Sequence, residues 1–482
     1  MTSDLTWEPP PDSIPTLAIP SLEGILRVHL IGIGGAGMRN LARLLMARGL
    51  EVRGSDLKMS RAVEELRADG AHVEIGHDPA HLGTRGGPPD VVIVSSAIRP
   101  DNVELRAAEG AGIAVWRRQQ ALAALVAGRR SIAVAGTHGK TTTTSLLAVV
   151  FEHVGVDPSY LIGGDLNETG GGARHGGGDL FVFEADESDG SFLLGAPWTG
   201  VITNIDVDHV DFYPGGLPEI EAAFARFARQ CEGVVAYGED PSVARALARA
   251  GVEACTYGTG PGVDVRLTVQ HLGPDGARGL VYADGVTVPV TLRIDGPHNL
   301  LNAAAVIGVA SRAGVAPADA AAAMATFEGV HRRFERRGSV RGADFYDDYG
   351  HTPTEMAVTI DTARRRSPRR LIALVQPHRY PRVQALWREL GASVADADLV
   401  IVTDIYGAAQ PPIPGVTGQL VADGVRLAAP DTRTIYVPHR ADVVDVLVEE
   451  VREGDLVVTM GCGDVWMLGD AAMARIAEVD GA

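Results

Sequence analysis

Lysine is nearly missing from this 482-residue chain: of 43 basic residues, only Lys58 and Lys140 carry an amine and the other 41 are arginines. A step that needs a compact ammonium has two places to occur. Cysteine is as scarce. Cys231, Cys255 and Cys462 are widely spaced and make no CxxC pair, so neither a disulfide framework nor a thiolate zinc site is indicated. Positive charge is short overall, with a net charge of −18 that argues against a general grip on nucleic acid or an anionic membrane. No apolar run reaches 18 residues, and the acidic, proline-rich start lacks the basic and apolar regions of a signal peptide. With 46% hydrophobic and 22% charged residues, the composition is globular, and a cytoplasmic protein is expected.

Short branched-apolar runs recur at Ile25–Ile31, Val91–Val94, Ile132–Ala135, Phe181–Phe183 and Gly200–Asn204, several followed by alanine- and leucine-rich helical stretches. Such alternation predicts parallel sheets with helices on their faces. Glycine joints from about Gly251 to Val290 predict a β-rich excursion. Alternation resumes from Asp344, with strands expected at Leu371–Val375, Leu399–Thr403, Thr434–Val437 and Leu456–Met460. The reading is an α/β fold of three domains. An extended or disordered tail over 1–24 precedes units at 25–128, 129–333 and 334–482.

Two glycine loops carry chemistry. Gly32, Gly34 and Gly37 satisfy GxGxxG after the first strand, with Asp56 19 residues beyond at the end of the next expected strand. Such a loop lets a pyrophosphate approach the backbone at a helix N-terminus, and the acid can meet a ribose hydroxyl. Alone it fits a NAD site, another nucleotide diphosphate or a structural turn. The second loop, Gly136-Thr137-His138-Gly139-Lys140-Thr141-Thr142, lies between a strand and a helix. Its backbone N–H groups would cradle phosphates, Lys140 would neutralise β/γ oxygens, and the Thr141 hydroxyl would hold Mg²⁺. Val134 stands where the full pattern has its first glycine.

Acids cluster after two later strands, in EADESD (184–189) and NIDVDH (204–209). Carboxylates at the C-terminal ends of parallel strands sit where such sheets bind ligands, and Mg²⁺ prefers oxygen. Glu184, nearest its strand, is the best candidate. His209 is a less usual companion, and a solvated loop charge is expected for most of the other acids.

Taken in order, GIGGAGM, GTHGKTTTTSLL, EADESDGSF, TNIDVDHVDFY, GPHNLLNA, HRRFERRG, DDYGHTPTE and QPHRYPR resemble the Mur ligases, over nearly the whole chain from about Val28. The resemblance implies a Rossmann-like UDP-binding domain, a central P-loop ATPase domain and a C-terminal Rossmann-like domain that closes on ATP. It turns the first loop into a UDP-sugar site, with Gly32, Gly34, Gly35, Ala36, Gly37, Asp56 and Ser95. It implies ATP-dependent joining of L-alanine to the lactyl carboxylate of UDP-N-acetylmuramate through an acyl phosphate. Mg²⁺ is the implied ion, with Mn²⁺ a possible substitute. The enzyme would work as a monomer or homodimer.

By the same resemblance, Glu184 and His209 are ligands of a second Mg²⁺. Asn299 and Asn302 face the adenine side, Arg333 reaches the γ-phosphate, and Asp348 lies near the ATP ribose. His351 approaches the amino-acid site, and Arg379 and Arg382 clamp that substrate's carboxylate. Other roles are open for several residues. Asn299 and Asn302 could cap the following helix, His298 could be a satisfied structural histidine, and His138 could point at solvent. Arg332, Arg336 and Arg337 read as partners for acids.

Two departures stand out. Thr352 occupies the second position of the family's His-His-Pro, and Phe224 stands where several relatives carry a carbamylated lysine. The latter fits the alanine-adding branch. The rivals are a murein tripeptide ligase and a non-catalytic UDP-sugar or NAD-binding protein.

Overall fold

The computed structural model describes residues 19–481 except 84, 85, 96, 97, 164, 165, 167–170, 189, 194, 210, 211 and 409. The first 18 residues of the expected tail lie outside that set, and residues 19–24 form no helix or strand.

Three sheets follow one another along the chain. The first is fully parallel, with five strands in the order His72–Ile75, Glu51–Asp56, Arg27–Ile31, Val91–Val94, Ala114–Arg117. The second has ten strands, and the phosphate-loop strand Arg130–Ala135 lies between Thr199–Ile202 and Leu180–Glu184, parallel to both. Its far edge is the antiparallel meander Val265–Gly273, Gly276–Ala283 and Val286–Leu292, where the β-rich excursion was expected. The third has six strands: Glu335–Val340, Ala343–Asp348, Asp455–Met460, Arg370–Val375, Leu399–Thr403 and Arg433–Val437. Only its first pair is antiparallel.

Strands such as Val91–Val94 and Leu399–Thr403 are near-continuous apolar runs because helices cover both faces of these sheets. The buried apolar side chains divide unevenly. One cluster runs from Val28 and Leu41 of the first unit through Phe181, Phe224 and Phe227 of the second. The C-terminal sheet instead holds two clusters of its own, centred on residues such as Val375 and Val402 on one face and Ile372 and Ile401 on the other. Phe224 is fully buried and packs its ring 5.1 Å from that of Phe192, so hydrocarbon fills this position. Among the described residues, no helix is long and apolar enough to cross a membrane.

Candidate active site between the central and C-terminal domains

The strand Arg130–Ala135 runs into a loop whose glycines are required by close approach. Gly136 has φ 133°, and a Cβ there would lie 2.0 Å from Thr203 Oγ1. Gly139, at φ 81°, caps the helix Lys140–His153, and its Cβ would lie 2.9 Å from Asn302 Oδ1. The helix N-terminus points its free N–H groups and positive dipole end into this loop, which favours phosphate. Lys140 Nζ donates to the loop carbonyls of Gly136 (2.5 Å) and Thr137 (3.2 Å) and to Glu187 Oε1 (2.8 Å). Burial alone would lower its pKa, but Glu187, Asp186 and Glu184 outweigh that and raise it, so the amine stays charged. Burial pushes the Glu187 carboxyl up to about 7, against the pull of Lys140.

Glu184, the last residue of its strand, accepts from Thr141 Oγ1 at 3.0 Å and from the Gly163 N–H at 2.6 Å. A Cβ at Gly163 would fall 2.4 Å from Glu184 Oε2, so a side chain there would push the carboxylate aside. His209 adopts φ 51° and places Nε2 3.4 Å from Asp208 Oδ2 and 4.0 Å from Glu187 Oε1. Burial lowers its pKa, and its buried Nδ1 has no hydrogen-bond partner among the described residues. A hydroxyl, a carboxylate and a neutral imidazole with an orphaned nitrogen fit Mg²⁺ held jointly with phosphate oxygens. Two of the remaining acids differ from expectation, whereas the Asp186 and Asp206 side chains keep 42% and 45% of their surface exposed. Glu187 and Asp208 are buried and engaged rather than solvated, while Asp189 lies outside the described residues.

Arg333 crosses from the C-terminal side and donates to Thr141 Oγ1 at 3.2 Å. Beside it opens a cavity of about 610 Å³ lined by Asn299, Asn302, Tyr346, Asp348 and Arg366 among others. Asp348 is anchored by the N–H groups of Phe334 (2.8 Å) and Gly350 (2.7 Å). Neither asparagine caps its helix. Gly296 is the N-cap of Pro297–Arg312, and Asn299 instead donates to the Asp295 carbonyl at 2.6 Å. His298 is not a satisfied core histidine either. Its Nδ1 has no hydrogen-bond partner among the described residues, and burial lowers its pKa to about 4. Phe334 and Tyr346 stack at 4.7 Å with Arg366 over both rings, a flat wall for a base that no motif indicated.

His138 does not point at solvent. It lies 3.3 Å from Asp206 Oδ2 and 3.4 Å from Glu355 Oε1, and although burial opposes charge, these two carboxylates raise its pKa to about 9. Glu355 also completes a capping box with Thr352, the N-cap of Pro353–Arg365. Thr352 thus has a local role. The T-x-x-E spacing was a visible signal that the sequence reading did not use.

His351 Nδ1 lies 3.1 Å from the Tyr349 carbonyl, and its ring meets His378 edge-on at 5.3 Å. Arg382 is buried; it donates to Asp208 Oδ1 and, through Nη1, to His378 Nδ1 at 2.9 Å. Arg379 takes φ 62° at the start of the helix Tyr380–Val394, and its N–H bonds the Tyr406 carbonyl at 3.0 Å. Arg332, Arg336 and Arg337 pair with Asp347, Asp344 and Asp470.

In the first domain, Gly32 turns at φ 75°, Gly35 caps the helix Ala36–Ala47, and the Gly34 N–H donates to Asp56 Oδ2 at 2.9 Å. Asp56 therefore braces the loop itself. A Cβ on Gly37 would meet Arg118 Nη1 at 3.3 Å, and Arg118 lies 3.9 Å from Asp186, so this loop opens toward the central acids. Ser95 is half-buried just past Val91–Val94.

Residues 27–130 match the Mur ligase family catalytic domain, 134–310 the Mur ligase middle domain, and 332–463 the Mur ligase glutamate ligase domain. The chain is 44% identical over 472 residues to a UDP-N-acetylmuramate–L-alanine ligase of Kineococcus radiotolerans, covering 96% of this chain and 98% of that one. It belongs to the Mur ligase family. A Thermobifida fusca protein of the same name is 43% identical, over 92% of this Mur ligase and 95% of its own length. The crystal structure of UDP-N-acetylmuramate–alanine ligase MurC from Thermotoga maritima superposes with TM-score 0.80 at 26% identity, covering 94% of this chain and all of that one. A murein peptide ligase from Psychrobacter arcticus gives 0.70 at 25% identity, with 94% and 98% covered.

Proposed function

We propose that this Mur ligase joins L-alanine to the lactyl carboxylate of UDP-N-acetylmuramate, with ATP cleaved to ADP and phosphate, in cytoplasmic peptidoglycan precursor synthesis. The observation that carries the reading is Arg333 reaching Thr141 Oγ1 at 3.2 Å, which brings a cation from the junction with the C-terminal domain onto the central phosphate loop. A carboxylate is a poor electrophile until one oxygen leaves as phosphate. The site therefore has to bring two anions together before it activates one of them.

The phosphate-loop N–H groups and the charged Lys140 hold the β/γ-phosphates, and Arg333 balances charge on the transferring group. Mg²⁺, with Mn²⁺ as a substitute, would be held at Thr141 and, as a second ion, at Glu184 and His209, and would supply charge neutralisation between γ-phosphate and acceptor. Asn299, Asn302 and Asp348 line the nucleotide cavity, where Phe334 and Tyr346 offer a stacking face. The loop Gly32–Gly37, with Asp56 and Ser95, would take the UDP end. Arg379 and Arg382 would fix the amino acid's carboxylate, with His351 beside its amine. We also place the domain divisions near residues 128 and 333, supported by the change of sheet between Arg117 and Arg130 and between Leu292 and Glu335. The working unit is a monomer or homodimer.

ADP release measured with UDP-N-acetylmuramate and a panel of L-alanine, glycine, L-serine and the murein tripeptide tests the reading. ADP is expected only when both acceptor and amino acid are present, fastest with L-alanine. ADP without an acceptor, or a preference for the tripeptide, overturns it.

A further inference from the structure

His351, His378 and Cys462 leave the C-terminal sheet together. They lie three, three and two residues beyond the strands Ala343–Asp348, Arg370–Val375 and Asp455–Met460. These strands are adjacent and parallel, and Asp348 and Val375 both register with Met460. The three loops therefore start at one level, in the crevice where parallel sheets hold ligands. One nitrogen of each histidine and the Cys462 sulfur fall within 4.8 Å of one another, and all three side chains are half-buried, within reach of an ion from solvent.

We propose that His351, His378 and Cys462 form a three-donor site for a borderline-soft divalent cation of zinc's class, whose occupancy shuts the adjoining amino-acid pocket. Two imidazoles and a thiolate suit Zn²⁺ far better than Mg²⁺, and three protein donors leave one tetrahedral position open. This set is distinct from the oxygen-rich Thr141–Glu184 pair. Sequence spacing could not reveal it, because the donors come from three separate strands.

The surroundings favour ligation. The Tyr349 carbonyl accepts a hydrogen bond from His351 Nδ1–H, which leaves Nε2 as the ligand atom. The His378 ring stacks on Tyr406 at 6.0 Å, and Arg332 Nη1 holds the Cys462 carbonyl at 3.4 Å. Burial keeps both imidazoles neutral, lowering His351 to about 4 and His378 to about 2. Burial also pushes the Cys462 thiol up to about 12, so the metal must displace that proton to solvent as the metal–sulfur bond forms. Asp208 and Glu355 face the cluster on the acidic side, and Arg332, Arg379 and Arg382 on the basic side.

Occupancy has a definite consequence. His378 Nδ1 accepts from Arg382 Nη1, which requires a proton on Nε2. A metal on either nitrogen ends that bond: at Nδ1 it replaces Arg382, and at Nε2 it forces the proton onto Nδ1. Arg382 is then uncoupled from His378 in the pocket assigned to the amino acid's carboxylate. This last step rests on the function proposed above; metal binding does not.

The metal-stripped full-length enzyme is titrated with Co²⁺ and, separately, assayed with Zn²⁺ at saturating Mg²⁺. A thiolate-to-cobalt charge-transfer band is expected, absent in Cys462→Ser and Cys462→Ala. Zn²⁺ inhibition is expected to be competitive with the amino acid, and its half-inhibitory concentration to rise at least about tenfold in both variants, whose Mg²⁺-supported activity stays intact. No band in the wild type, or a band kept by the variants, overturns the site. A cysteine-dependent band with inhibition that does not compete with the amino acid overturns the pocket closure alone. If the enzyme is inactive with L-alanine, the cobalt spectrum still decides the site.

Discussion

Arg382 places two nitrogens on one oxygen of Asp208, Nη2 at 2.7 Å and Nε at 3.2 Å, across the junction between the C-terminal and central domains. Arg382 is 6% exposed, so its charge has little water to fall back on. Asp208→Asn leaves that charge uncompensated and is expected to cost about 3–5 kcal/mol in denaturant unfolding of the full chain. The KM for the amino acid should rise more than that for ATP if Arg382 holds the amino acid's carboxylate as proposed.

Lys140 is the lysine of the phosphate loop; the chain's other lysine, Lys58, is exposed two residues past Asp56 in the first domain. Lys140→Ala is expected to slow ADP formation on the order of 10²–10³-fold, the scale of losing one electrostatic stabiliser. Lys140→Arg should restore little, since a forked guanidinium does not reproduce the amine's bonds to Gly136 and Thr137. Steady-state ADP release with both acceptors present checks both variants.

The His138 contact titrates. Its pKa is raised from 6.5 to about 9, so its contribution is complete below pH 6.5 and disappears as pH climbs through about 9. Over that interval the thermal midpoint of the wild type should fall, and His138→Gln should remove that part of the fall. A wild type and variant with parallel profiles would contradict the assignment.

Glu104 is fully buried in the first domain, where it accepts from Ser55 Oγ at 2.7 Å and pairs with His29 (2.8 Å), His81 (2.9 Å) and His77 (3.3 Å). Burial opposes its charge, but these partners hold the carboxyl down at about 2. The stabilisation is therefore present above pH 4.5 and is lost as pH falls toward 2. Glu104→Ala is expected to destabilise the chain by about 3–5 kcal/mol, read from denaturant midpoints at neutral pH.

Several elements were legible because one residue type alone could serve. Gly136, Gly139 and Gly32 sit where a side chain would clash or strain the backbone, so the loops announced themselves. Buried parallel strands such as Leu399–Thr403 read directly as apolar runs. The edge strand Glu335–Val340 did not, because ERRGSV has no apolar alternation and pairs through its backbone with Ala343–Asp348. The pairing of Glu355 with His138, the pairing of Asp208 with Arg382 and the buried state of His138 were out of reach. Each depends on a partner far away in sequence: 217 residues separate His138 from Glu355, and 174 separate Asp208 from Arg382.

The uneven division of the apolar clusters bears on how the molecule moves. The first two domains are fused through hydrocarbon, whereas Arg333–Thr141, Arg382–Asp208, Thr354–Asp206 and His138–Glu355 join the third to them. Swinging the third domain away wets charges and hydroxyls and little oil. Such a motion carries a small heat-capacity change, unlike unfolding, and its equilibrium responds to salt more than to temperature.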